Sequence, residues 1–116
     1  MKKGRYHAGM LRQWVRIQER VMVDDSFGGY DLSWRTLLEA RASVEPLSQR
    51  ERLTAQQLET PITHRVVMRY ATVLRNGGPD LRLVLDMTRY FNIRGIIDVE
   101  ERHRWMELTV EENVGQ

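Results

Sequence analysis

WVRIQERV, residues 14–21, decides the fold, because its side chains alternate with period two instead of recurring every third or fourth position. Val15, Ile17, Glu19 and Val21 share one face, and Trp14, Arg16, Gln18 and Arg20 share the other. Just downstream, DDSFGGYD (24–31) gathers Asp24, Asp25, Gly28 and Gly29, residues that tolerate tight turns, so a hairpin is expected there. The return run WRTLLEARASVEPL (34–47) places Leu38, Ala40, Ala42 and Val44 on one side and Arg41, Ser43 and Glu45 on the other. Pro46 should end this ladder, since it has no N–H to donate.

The same period continues beyond residue 60. TPITHRVVMRY (60–70) aligns Ile62, His64, Val66, Met68 and Tyr70 against Arg65 and Arg69. RNGGPD (75–80) reads as a turn, and LRLVLDM (81–87) and RYFNIRGIIDV (89–99) as two more strands. In the second of these, Phe91, Ile93 and Ile97 are expected on one face. A charged turn over residues 98–103 leads into RWMELTVEE (104–112), with Met106, Leu108 and Val110 together. The sum is a mainly all-β chain. About six strands with short connections predict a small antiparallel β-barrel, with a long loop and short helix inserted between strands two and three. Closure would remove the exposed edges that a chain of 116 residues could otherwise not cover. Residues 1–116 are expected to form a single domain.

The insertion lies within ASVEPLSQRERLTAQQLE (42–59). Ser48 and Glu51 have the spacing of a capping box, which predicts a helix start. The helix has little apolar surface: Leu53 and Leu58 are its only large apolar residues, five positions apart, which makes poor use of one face. About ten residues are too few to hold as an isolated helix in water. Two readings follow. Either the segment is a lid that packs Leu53 and Leu58 over a barrel end, or it projects and orders against another chain. In the second reading Arg50, Arg52, Gln56 and Gln57 become contact residues.

Composition excludes several classes. There are no cysteines, hence no disulfides and no thiolate zinc sites, a composition that suits a reducing compartment. Eighteen Lys+Arg against 16 Asp+Glu leave a formal charge of +2, too weak to announce a nucleic-acid binder. The first residues lack the apolar core of a signal peptide, and no run is long enough to span a bilayer, so a soluble chain is expected. His7, His64 and His103 have no metal-ligand spacing. The neighbouring acids at 24–25, 100–101 and 111–112 lie in turns or at the tail, where they suggest no general acid–base pair. The glycine clusters FGG and NGGP lack the following Lys-Ser/Thr of a phosphate loop, and no serine sits in a nucleophile elbow. No enzyme chemistry, metal or cofactor is expected. Trp14, Trp34, Tyr70, Tyr90 and Trp105 alternate with arginines, which keeps open a small-barrel module that stacks single-stranded nucleic acid.

The ordered set of motifs AGMLRQWVRIQ (8–18), DSFGGYDLSW (25–34), ASVEPLSQRE (42–51), AQQ (55–57), THRVVMRY (63–70) and FNIRGIIDVEERHRWMEL (91–108) resembles the bacteriophage head–tail joining proteins, also called head-closure or stopper proteins or head-tail adaptors. Gln49 departs from the glycine often found there, and Ala40 stands where a bulkier residue is common. The resemblance implies a structural connector of a tailed phage, prophage or gene-transfer particle, made in the host bacterial cytoplasm and built into the neck of the virion. It implies a homo-oligomeric ring, a dodecamer matching portal symmetry, set beneath the portal and adaptor proteins. That ring retains packaged double-stranded DNA without sequence-specific binding and docks a tail or tail-terminator protein. The same resemblance assigns interaction or channel roles to the inserted loop, namely Leu47, Ser48, Arg50, Glu51, Arg52, Leu53, Gln56, Gln57 and Leu58. Gly9, Met10, Leu11 and Arg12 form a candidate docking arm. Another neck or tail-completion protein remains an alternative, because it would differ only in the partner it touches.

Overall fold

A computed structural model describes residues 6–59, 61–75 and 80–113. Six strands, β1 (Gln13–Asp24), β2 (Tyr30–Pro46), β3 (His64–Arg69), β4 (Leu81–Leu85), β5 (Arg89–Asp98) and β6 (Trp105–Asn113), form one sheet that closes on itself in the order β1-β2-β3-β6-β5-β4. Every neighbouring pair is antiparallel, and β1 against β4 completes the ring. Among the described residues one α-helix, α1 (Gln49–Gln57), lies between β2 and β3. The expected small barrel with its insertion is what forms. Of the expected RNGGPD turn (75–80), residues 76–79 lie outside the described residues.

Alternation positions the core as expected on four strands. Val15 and Ile17 of β1, Ala42 of β2, Val66 and Met68 of β3, and Met106, Leu108 and Val110 of β6 are buried together, with Leu38, Ala40, Val44 and Tyr70 packed around them. Phe91, fully buried, meets the His64 ring in a T-shaped pair at a centroid distance of 5.1 Å. On β5 the pattern breaks. Ile93 pairs with Val110 but Gly95 pairs with Thr109, so Arg94 is an extra residue with no opposite partner. This bulge shifts the side-chain phase by one. Ile96 therefore packs on the core, while Ile97 is 55% exposed, contrary to the face expected for it. A second bulge, at Leu37 of β2, lies between the pairs Ile17–Leu38 and Gln18–Thr36.

β1 and β2 are 12 and 17 residues long, too long for the barrel they help to close. β4 pairs with β1 only over residues 15–19, and β3 pairs with β2 only over residues 42–46. The rest of both strands runs on as a two-stranded arm, with Asp24 opposite Tyr30 at its end. At about 3.3 Å per residue β2 alone spans roughly 55 Å. The molecule is correspondingly elongated, 61 × 31 × 25 Å.

Candidate interaction surface

The inserted segment leaves the barrel where Leu47 N–H donates to the Thr63 carbonyl. Ser48 then caps α1 in both directions: its hydroxyl accepts from Glu51 N–H at 3.2 Å, and its own N–H donates to the Glu51 carboxylate at 3.1 Å. The predicted capping box is therefore present. Glu51 also reaches across to the Arg65 guanidinium on β3, which in turn lies 3.4 Å from Glu107 on β6. Hydrogen bonding from Arg65 holds the Glu51 carboxyl below the usual carboxylate range, with the cap N–H adding to the effect. The same bond pushes Arg65 up.

Beyond this one polar anchor α1 gives the barrel little. None of its residues is buried. Leu53 is 56% exposed and Leu58, at the C-cap, 72% exposed, so neither packs over a barrel end as the lid reading required. Arg50, Arg52, Gln56 and Gln57 are exposed as well. Between α1 and the barrel lies an open groove of about 420 Å³. Leu47, Ala55, Leu58 and Ile62 line its apolar walls, and Arg50, Glu51 and Arg65 supply its charge.

The other proposed arm lies along the barrel. Residues 8–10 form a single 3-10 turn, Arg12 Nε donates back to the Gly9 carbonyl at 3.0 Å, and Met10 and Leu11 are half-buried. Tyr6, just before it, meets the Trp105 ring in a tilted contact at 5.8 Å between centroids and hydrogen-bonds Glu107.

The β1–β2 arm is a surface that sequence reasoning missed as such, having read residues 24–31 only as a turn. Phe27 at its tip is 93% exposed, and Met22, Tyr30 and Leu32 on its strands are exposed too. The tip is not loose. Asp25 Oδ1 accepts from Phe27 N–H at 2.8 Å and from Gly29 N–H at 3.0 Å, and Asp24 Oδ1 accepts from Ser26 N–H at 2.9 Å. Gly28 takes the left-handed backbone, φ +85°, that this turn needs. The signal available in the sequence was length, since alternation continues on both sides of the turn for longer than the other strands last.

Aromatic side chains and arginines do meet, but within the chain. Arg82 lies between Trp34 (4.1 Å) and Tyr90 (4.7 Å), and its Nε donates to Gln18. Arg69 covers Trp105 at 4.3 Å. Arg16, Arg35, Arg65, Arg89 and Arg94 each pair with a glutamate across the sheet, Arg65 with Glu107. Stacking faces and cations are thus largely occupied by each other, which disfavours a platform for nucleic-acid bases. Among the described residues no cluster of three potential metal ligands occurs, and no helix is long and apolar enough to cross a membrane.

Residues 6–113 match the family model described as phage head completion protein. Two solved structures are similar in fold. A solution structure of a protein from Shigella flexneri 2a superposes with a TM-score of 0.73 at 21% identity, covering 96% of this chain and 100% of that one. A chain from the virion of a native gene transfer agent particle gives a TM-score of 0.55 at 21% identity, covering 90% of this chain and 97% of that one. No curated protein sequence matches the chain.

Proposed function

The chain belongs to the phage head completion proteins, a structural and not an enzymatic family, and from that membership we propose that it acts as the stopper ring of a tailed phage, prophage or gene-transfer particle. In this reading residues 1–116 are one head-completion domain whose copies, expected as a dodecamer, sit beneath the portal and adaptor. They hold packaged DNA in place and present the surface on which the tail or its terminator docks. Leu47, Ser48, Arg50, Glu51, Arg52, Leu53, Gln56, Gln57 and Leu58 serve as contacts to neighbours or to the channel, and the segment of Gly9, Met10, Leu11 and Arg12 as a docking arm.

The observation that carries the reading is the exposure of α1. A nine-residue helix with no buried residue is marginal unless something covers it. Among the described residues the polar anchor it receives from the barrel is Arg65, so its exposed surface fits a contact with another chain. The charge balance supports the channel role, because a wall of paired arginines and glutamates can face a duplex without gripping its phosphates. The gene-transfer-agent virion chain of similar fold is consistent with a place in such a particle.

Imaging the neck of purified particles by cryo-electron microscopy tests the proposal. The expected result is a closed ring of barrels between portal and tail, with the inserted segments directed at neighbours or at the channel. Finding the chain outside the neck, or as isolated copies, would overturn it.

A further inference from the structure

We propose that the ring is held by a head-to-tail plug: the β1–β2 tip of one copy docks in the groove beneath α1 of the next. This deepens the stopper-ring reading and rests on it. Tip and groove lie at opposite ends of β2, whose 17 residues separate them by roughly 55 Å. They cannot meet within one chain. Two unlike, complementary patches at opposite ends of a molecule generate a heterologous contact, which closes into a ring when the rotation between copies permits.

The two surfaces match in shape. Phe27 is nearly fully exposed at the tip, and an aromatic side chain buries about 150–250 Å² when it finds a pocket. The groove, about 420 Å³ with walls from Leu47, Ala55, Leu58 and Ile62, has room for that ring and apolar atoms to receive it. Because Asp24 and Asp25 already fix the turn through three N–H bonds, little conformational freedom is lost on docking.

They also match in charge. Residues 24–31 carry Asp24, Asp25 and Asp31 and no base. At the groove Arg65 is held between two acids, Glu51 and Glu107, while Arg50 lines the groove and Arg52 follows on the same helix, which leaves the rim basic by one charge. An acidic tip and a basic rim select this pairing over tip-to-tip or groove-to-groove contact. One aromatic plug is smaller than the roughly 800 Å² per partner of a stable interface. The exposed Met22, Tyr30 and Leu32 along the same arm supply further apolar area to lie against the neighbour.

The absence of cysteine makes a clean test possible. Ser26→Cys and Thr54→Cys flank the plug and leave Phe27 in place: Ser26 is exposed at the tip, and Thr54 lines the groove. Particles assembled with each single variant and with the double variant are oxidised with copper–phenanthroline and run on non-reducing gels. The double variant is expected to give a ladder extending past dimer, while each single variant stops at monomer or dimer. Adding Phe27→Ser should weaken the ladder at least about tenfold, the loss expected for one aromatic anchor. Double-variant particles that contain the chain in a ring but show no ladder would overturn the plug and leave the stopper reading standing. A cross-link from position 26 or 54 to a different particle protein would also overturn it, by assigning that surface to the adaptor or tail. Particles that complete normally without the chain would overturn both.

Discussion

Replacing residues 48–58 with a Gly/Ser linker of equal length should leave the barrel folded, and the structure fixes how little is lost. No α1 residue is buried, Leu53 and Leu58 are mostly exposed, and among the described residues the side-chain hydrogen bond from the segment to the barrel is that of Glu51 with Arg65. The apolar loss comes from the partly covered Leu53 and Leu58 and the half-buried Ala55, together on the scale of two or three methylene groups or about 2 kcal/mol. Loop length is unchanged, so closure entropy is nearly the same. The total should stay at about 2 kcal/mol, a fall in Tm of roughly 10 °C for a domain of this size. Phe91→Ala is the internal standard: Phe91 is 0% exposed, and its loss should cost about 3–5 kcal/mol. Urea denaturation of both variants checks the comparison, with the linker variant keeping the parent's m-value because the surface exposed on unfolding hardly changes. A linker variant as destabilised as Phe91→Ala would mean that α1 belongs to the core and that its exposure says nothing about partners.

Three further outcomes follow from the barrel. His64 is pulled below its ordinary value near 6.5, first by burial and then by Arg89 and Arg52, while Glu112 opposes the shift. A depressed histidine favours the fold in its neutral form, so stability should be full above pH 6.5 and decline as pH falls toward the folded value, and His64→Gln should flatten that slope in urea titrations. The Arg94 bulge predicts that Ile97→Asp changes stability by no more than about 0.5 kcal/mol, whereas Ile96→Asp costs about 2 kcal/mol or more; the reverse order would contradict the shifted phase. Asp86 and Met87 both adopt positive φ in the β4–β5 turn, at 53° and 58°, so Met87→Gly should relieve strain and raise stability by about 0.5–1 kcal/mol in thermal melts.

How much of this was legible residue by residue follows from the range of the forces involved. The alternation of Val15/Ile17, Val66/Met68 and Met106/Leu108/Val110 is local, and it placed four core-facing strands correctly. Ser48 and Glu51 are three residues apart, and the capping box formed as their spacing required. Ile97 was misplaced because a bulge depends on what lies across the sheet: Arg94 is extra only in relation to Val110 and Thr109. The arm was missed for a similar reason. That β1 and β2 overhang depends on β4 being five residues long and β3 six, which no window around DDSFGGYD contains. The left-handed Asp86 and Met87 carry no glycine or asparagine to announce them. As for the interaction surface, the unsuitability of α1 for its own core was visible in the spacing of Leu53 and Leu58, whereas the groove beside it needed Ile62 and Arg65 brought back from β3 and the segment before it.

The stopper account is tested most directly on particles produced without this chain, by measuring nuclease-protected DNA inside heads and the fraction of heads that carry tails. The account predicts packaging that begins but is not retained, with empty or leaking heads beside free tails, restored by supplying the chain in trans. DNA-filled, tailed particles in normal numbers would contradict it.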